Sequence, residues 1–431
     1  MPPPLAPPSA MDDRAQFDLV VRHGHQDLVQ AVAFNSYGDR CATGSVDGKI
    51  RVFNRHRDGV WRLCDSWTAH GGEILELQWL PPTVYPNLVA SLGIEGRFKL
   101  WAENPSAAPG RRFGSRSKDT AKPAFDHRSP RAPYRSFSLR HNEETRQTHL
   151  ALLAADGQLT VYENEMSENL SDWNQTDEFT ICDKPERGVE TSFRVRFDPN
   201  PDPCYTALRA GMPTDTLGLV VAAMDAVKIY RTRDVVVHSY GVASTKKEFY
   251  EAVSIPGHRS LVRDVAWAPG NIRGHDIIAT ACMDGYVRVL RIDTPYDKND
   301  GRTWSASDLV KSHTRSEAFA RGGGGDGGSS HPVSGHHTSH PSGISQGVHH
   351  PTPDGDRRKN QTGHIPHSVS ILSNLENHRS PMWRVGFDDD GQILGCVGDD
   401  GKLLCFRQTS AGQWMKSSEI GVNKMKMAIP S

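Results

Sequence analysis

Apolar and polar positions along the chain repeat one long pattern six times. Each unit opens with an alternating apolar strand, followed by a turn and a strand of small and apolar residues. A tight acidic turn then leads into a strand that closes on a bulky apolar side chain. The closing halves read ATGSVDGKIRVF (42–53), ASLGIEGRFKLW (90–101), ALLAADGQLTVY (151–162), VAAMDAVKIY (221–230), ATACMDGYVRVL (279–290) and LGCVGDDGKLLCF (394–406). The turn acids are Asp47, Glu95, Asp156, Asp225, Asp284 and Asp400. In five copies Gly follows the acid, and the bulky residue stands six positions beyond it, at Phe53, Trp101, Tyr162, Leu290 and Phe406. The fourth copy has Ala226 instead of Gly and is one residue shorter, reaching Tyr230.

Asp-Gly between alternating runs is a strong short-range hairpin signal, because the turn needs a backbone that accepts positive φ. The carboxylate also accepts backbone hydrogen bonds within the turn. Alternation after it, as in Lys49-Ile50-Arg51-Val52-Phe53, puts one side of the strand into a core. The opening strands agree: LVQAVAF (28–34), ILELQWL (74–80), FRVRF (193–197), LVRDVAW (261–267) and MWRVGF (382–387), with YRSFSL (134–139) the least regular. Short strands at this period, with no helix in evidence, predict an all-β chain folded as a six-bladed β-propeller. A sandwich with coincidental turns would not produce six aligned copies. The Gly-His of HGHQDLV (23–29) and PGHRSLV (256–262), taken with the acidic turn, resembles the WD repeat, although the terminal Trp of that pattern survives only at Trp101.

Outer strands are predicted after each closing residue, at 60–67, near 122–128, and at 177–182, 247–255, 368–374 and 413–420. The chain also begins with a strand-like FDLVVR (17–22) ahead of the first Gly-His. If the last repeat supplies its own outer strand, the N-terminal one has no blade to complete. Open strand edges are seldom left exposed, so the count suggests that a partner chain adds strands in trans. The other reading is that 413–420 is a frayed tail and the ring closes on the N-terminal strand.

Longer stretches carry a more specific likeness. FDLVVRHGHQDLVQAVAFNSYGDRCATGSVDGKIRVF (17–53), VWRLCDSWTAHGGEILELQWL (60–80), VASLGIEGRFKLWAENP (89–105), GRRF (110–113), LTVYENEMSENLSDW (159–173) and GDDGKLLCF (398–406) resemble the Seh-type WD-repeat nucleoporins. The Trp61-to-His70 stretch is the most telling, since a generic WD repeat would not reproduce it. The resemblance implies an open six-bladed propeller in the Y-shaped outer-ring coat of the nuclear pore, at the nuclear envelope. It implies that an α-helical solenoid nucleoporin inserts a seventh blade beside the first, among other coat subunits. It implies as well a place in a vacuolar or lysosomal coat-like complex (SEA/GATOR) that controls amino-acid signalling to the TOR kinase. The expected docking edge is then Phe17, Asp18, Leu19, Val20 and Val21, the first inner strand at Leu28, Val29, Val32 and Phe34, and Met382, Trp383, Val385 and Phe387 of the last repeat. The alternatives are the related propeller of the COPII coat and an adaptor that reads peptides on its top face.

Composition narrows the function classes. Lys plus Arg number 50 against 51 for Asp plus Glu, so the basic excess of a nucleic-acid binder is missing. Seven cysteines without a C-x-x-C pair argue for a reducing compartment rather than a disulfide framework. The Pro-rich start lacks the basic and apolar regions of a secretion signal. The longest apolar run, 217–224, is too short for a bilayer, so membrane contact is expected only through the coat. The expected organisation is a Pro-rich N-terminus (1–15), blades one to five (16–294), a Gly/Ser/His-rich insertion (295–366), blade six (367–422) and a tail (423–431). The insertion has too little apolar content to fold, and its histidines have no ligand geometry, so no metal is expected. The 111–131 loop holds seven Lys or Arg against two Asp and reads as a solvated excursion, with Ser129 before Pro130 a possible phosphate acceptor. No nucleophile elbow, P-loop or H-E-x-x-H occurs. His25, His70, His258 and Asp47 could be drawn as an acid/base set, but in such repeats the histidine and turn acid lock a blade. No catalytic residue, cofactor or small-molecule substrate is predicted, and the chain reads as a scaffold rather than an enzyme.

Overall fold

Each predicted repeat folds into a four-stranded antiparallel sheet whose strands follow one another in sequence. The computed structural model describes residues 22–81, 87–113, 122–239, 242–270, 274–294, 365, 367–376 and 380–421. Blade one comprises β1–β4 (Val29–Phe34, Arg40–Ser45, Lys49–Arg55, Trp61–Thr68), and blade two β5–β8 (Ile74–Trp79, Leu88–Gly93, Arg97–Ala102, Phe125–Arg128). Blade three comprises β9–β12 (Tyr134–His141, Thr148–Ala154, Gln158–Asn164, Asn174–Thr180), and blade four β13–β16 (Phe193–Phe197, Gly218–Ala223, Ala226–Ser239, Val242–Ile255). Blade five comprises β17–β20 (Val262–Trp267, Asp276–Cys282, Val287–Asp293, Ser368–Leu375), and blade six β21–β24 (Met382–Phe387, Ile393–Gly398, Lys402–Gln408, Trp414–Gly421). These are six blades of a β-propeller. The chain divides into two compact units, residues 1–127 with the first two blades and 128–431 with the other four.

Residues 413–420 are not a frayed tail: β24 pairs along the length of β23 from Lys402–Gly421 to Gln408–Trp414. Every described blade therefore carries its own outer strand. The N-terminal segment 17–21, most of the insertion and the tail beyond 421 lie outside the described residues.

The turn chemistry follows the expected rule. The glycines after the acid sit at φ of +74° (Gly48), +75° (Gly96), +82° (Gly157), +87° (Gly285) and +67° (Gly401). Gly48 is further constrained, because an added Cβ would lie 2.4 Å from the His70 carbonyl oxygen. A Gly48→Ala variant should lose roughly 2 kcal/mol of stability, from strained backbone and this clash together; urea unfolding that leaves the midpoint unchanged would refute the assignment. In blade four the turn shortens to two residues between the paired Ala223 and Ala226, and Met224 takes the left-handed position at φ +61°. That shift is why Ala226 can stand where the other repeats need Gly.

Three features differ from expectation. A short helix α1 (Tyr205–Arg209) precedes β14. The strand expected to end at Tyr230 runs to Ser239 and pairs with an equally long β16, giving a hairpin of two 14-residue strands. The 134–139 segment, the least regular of the opening strands in sequence, forms an eight-residue strand with a register shift near its start.

The cores lie between neighbouring blades. One joins blades three and four (Leu153, Val161, Phe193, Val221), another blades four and five (Val220, Ile229, Val265, Ile278), and another blades five and six (Val289, Met382, Leu394, Phe406). Blades one and two share Ile50, Val52, Trp67, Trp79, Trp101 and Phe113. Here Phe113, the last residue of GRRF, stacks on Trp67 at 4.7 Å, and its amide donates to Asp65 at 2.7 Å. Between blades four and five, Arg231 is 1% exposed and binds Asp198 at 3.0 Å and Asp276 at 2.6 Å, with its guanidinium 4.7 Å over Trp267. All seven cysteines are free.

Candidate functional site

The first strand of the first blade has one covered face and one bare face. Ala31 and Ala33 point into the core with Ile74, Leu77 and Trp79, and the Trp79 indole N–H donates to the Ala33 carbonyl at 3.0 Å. Pleating sends the alternate residues the other way, and there Val32 is 55% and Phe34 58% exposed, with Leu28 at 70% just before the strand. Val29, on the far side of a register shift from Ala31, is half-buried. The equivalent strands β13 and β17 show no exposed position.

From Phe34 the pairing runs through Cys41 and Phe53, both buried, to Leu63, which is 49% exposed. Trp61 meets Phe34 edge-on at 5.8 Å. Val60 (48%) and Tyr37 (69%), in the turns before β4 and after β1, are exposed as well. An exposed apolar surface made of contiguous large side chains marks a protein contact site. Leu63 and Trp61 escaped sequence reasoning, because only strand register and a ring contact bring the outer strand of the blade into relation with Phe34.

In the last blade the expected residues separate. Met382 and Val385 are buried against blade five, and Phe387 packs on the same cluster, edge-on to Trp414 at 5.6 Å. Met382 and Val385 thus present no exposed side chain, and Phe387 only part of one. Trp383 is 44% exposed, with its indole N–H donating to Asp399 and the Arg263 guanidinium 4.6 Å over its ring. Phe17, Asp18, Leu19, Val20 and Val21 lie outside the described residues.

The histidines and turn acids are structural fasteners. His25 Nδ1 lies 3.2 Å from Asp47 and Nε2 2.8 Å from Thr43 Oγ1, while the Gln26 and Lys49 amides donate to the same carboxylate. Burial would raise the Asp47 pKa, but the amides of Lys49 and Gln26 and the His25 ring outweigh it and hold the carboxyl below its ordinary value. This network ties the segment entering β1 to the turn behind it. In blade two, His70 bonds Glu95 at 2.6 Å and Ser91 at 2.8 Å, and Trp101 also donates to Ser91. Blade five departs from this lock. His258 keeps its bond to Thr280 at 3.0 Å, but Asp284 pairs instead with Arg288 at 2.6 Å and accepts the Tyr286 amide. Asp156 and Asp400 each accept the amide two residues on, from Gln158 and Lys402, and Asp225 is exposed at its shortened turn. Each of these histidines is engaged within its own blade.

The family pattern described as "WD domain, G-beta repeat" matches residues 18–54 and 250–290. Across 99% of its length the chain is 49% identical to "Nucleoporin SEH1" of Chaetomium thermophilum, covering 98% of that protein. It is 26% identical to "Nucleoporin SEH1" of Saccharomyces cerevisiae over 92% of this chain and 97% of that one. Against the human protein of the same name the identity is 22%, over 90% and 84% of the two chains.

Proposed function

Because the chain belongs to the SEH1 family of WD-repeat nucleoporins, and is thus a subunit of the nuclear pore, we propose that it is a scaffold there and binds its partner on the bare face of the first blade. The partner is an α-helical nucleoporin that contributes strands beside β1, completing a further blade in trans within the outer-ring coat and so supporting nucleocytoplasmic transport. The observation that carries this reading is the exposure of Val32 and Phe34 on an inner propeller strand. In a propeller, such a strand is normally sandwiched between blades. The outer-strand inventory agrees, since the sixth sheet has β24 as its outer strand and does not call on the N-terminal segment for one. Strand addition satisfies open backbone groups and gives pockets for alternate side chains. A face of this kind would serve equally in a coat-like complex at the vacuole or lysosome acting on TOR signalling.

Substituting Val32→Asp together with Phe34→Asp tests the reading. Both side chains are more than half exposed, so the isolated protein should keep its melting temperature. Burying two uncompensated carboxylates should weaken capture of the helical nucleoporin by about 100-fold or more. Deleting residues 1–22 should also weaken capture. Unchanged co-purification of the nucleoporin with the double variant would overturn the proposal and favour peptide reading on another face.

A further inference from the structure

Between blades three and four, at the end of β10 and β11 farthest from the Asp156 turn, a cleft of about 410 Å³ opens. Strand pairing sets His149 directly across from Glu163. Along the same faces, Ala151, Leu153, Leu159 and Val161 enter the core, so the apolar rows end in two titratable side chains. Leu217, Thr232, Lys247 and Phe249 of blade four complete the opposite wall.

The cleft has a surplus of acceptors. Glu163 is half-buried and has neither an ion pair nor a hydrogen bond among the described residues. Burial and the neighbouring Glu165 push its carboxyl above the ordinary range, against the pull of Lys247. Lys247 itself is engaged by Asp215 at 2.6 Å and Asp234 at 3.5 Å. After that pairing, the lining retains Glu163 and Glu165 against the single charge of Lys246. A second, independent observation points to an occupant. His149 lines the cleft, is 6% exposed, and leaves Nδ1 buried without a hydrogen-bond partner. Burial lowers its pKa to about 3, so the ring is neutral and one nitrogen is an acceptor. A buried polar atom without a partner costs free energy unless something binds it.

We propose that this cleft receives an arginine side chain from a partner protein, with Glu163 as the carboxylate that meets the guanidinium. A guanidinium suits the site better than an ammonium. It presents five donors in a plane that matches carboxylates, and its weaker hydration makes entry into a half-buried site less costly. A protein source is favoured because Gln175 and Thr176 on the rim belong to β12, the outermost strand of its blade. That strand edge gives an extended segment a backbone to run along while its side chain enters the cleft. The site lies within the second unit and is independent of the first-blade face.

Titration of the full-length protein, with its histidine rings isotope-labelled for NMR, tests this. The probes are the blocked peptides Gly-Arg-Gly, Gly-Lys-Gly and Gly-citrulline-Gly, together with free L-arginine. The arginine peptide should shift the His149 ring signals saturably, with a Kd on the order of 1 mM. Glu163→Gln should weaken that binding by about tenfold, an effect of ordinary size for a charge-assisted hydrogen bond, without changing the melting temperature. Glu165→Gln provides a second variant should the first perturb folding, and it should weaken binding in the same direction. Equal binding of the citrulline or lysine peptide, tighter binding of free arginine than of the peptide, or indifference to both Glu variants would each overturn the proposal.

Discussion

Replacing Arg231 with Ala is expected to lower folding stability by about 3–5 kcal/mol, the usual cost of removing one partner from a buried ion pair. The guanidinium holds two carboxylates, Asp198 and Asp276, both at most 3% exposed. Asp198 is fixed from its other side by the Asn200 amide and side chain at 3.0 and 2.8 Å. Without Arg231 both acids would be buried and uncompensated at neutral pH. Burial already pushes the Asp276 carboxyl up in the intact protein, with Arg231 opposing it. Losing the cation raises it further. A carboxyl whose folded pKa exceeds its unfolded one holds stability at low pH and loses it as pH climbs through the folded value. The deficit of the variant relative to the parent should therefore shrink at pH 5 compared with pH 8. Combining Arg231→Met with Asp198→Asn and Asp276→Asn should recover most of the loss. Urea unfolding at the two pH values decides the matter, and a loss below about 1 kcal/mol at pH 8 would show that the triad is not the tie between blades four and five.

Acid should destabilise the parent protein through His149 and His258. Burial lowers their pKa to about 3 and about 4, and the charges of Arg140 and Lys247 on the first and Arg288 on the second add to it. Asp284 opposes the shift at His258. Groups with depressed folded pKa values bind fewer protons folded than unfolded, so their contribution is complete above the ordinary 6.5 and is lost as pH falls. Each pH unit over which one such histidine stays neutral only in the folded state costs about 1.4 kcal/mol. His258 is discounted for its partial exposure, which leaves on the order of 4 kcal/mol for the pair between pH 6.5 and 4. A His149→Gln/His258→Gln variant, which cannot protonate, should show a flatter stability profile across that window. Parallel acid limbs for parent and variant would show that these rings do not govern the loss.

Much of the architecture was legible because the sequence signals act locally. A turn acid with a glycine behind it fixes a hairpin, and alternation about it fixes which side chains share a face, so all six blades and their outer strands could be placed. What escaped depends on register and on distant partners. In five blades the pairing of the last two strands shifts immediately before the closing residue, at Phe53, Tyr162, Tyr230, Leu290 and Phe406. A shift of this kind carries no composition mark. The long hairpin of blade four was hidden by Arg231, Arg233 and Asp234, which look like a strand end but are held in ion pairs. The acids of the Arg231 triad come from positions 33 and 45 residues away, beyond the reach of any local pattern. The candidate face was half legible. Period-two alternation separates Ala31 and Ala33 from Val32 and Phe34, but in a propeller strand both sets are apolar. Alternation likewise could not say that Met382 and Val385 turn toward blade five. The lock at His258 failed in blade five because Arg288, four residues after the acid, offers Asp284 a charged and stronger partner.

Contiguous blades also bear on how the chain is made. Each described sheet contains four successive strands, so no sheet must wait for a segment translated at the opposite end of the message. Blade one can finish hydrogen-bonding when about residue 70 has left the ribosome, and within each compact unit a later blade can settle against the one before it, in the vectorial manner of domains that fold during synthesis.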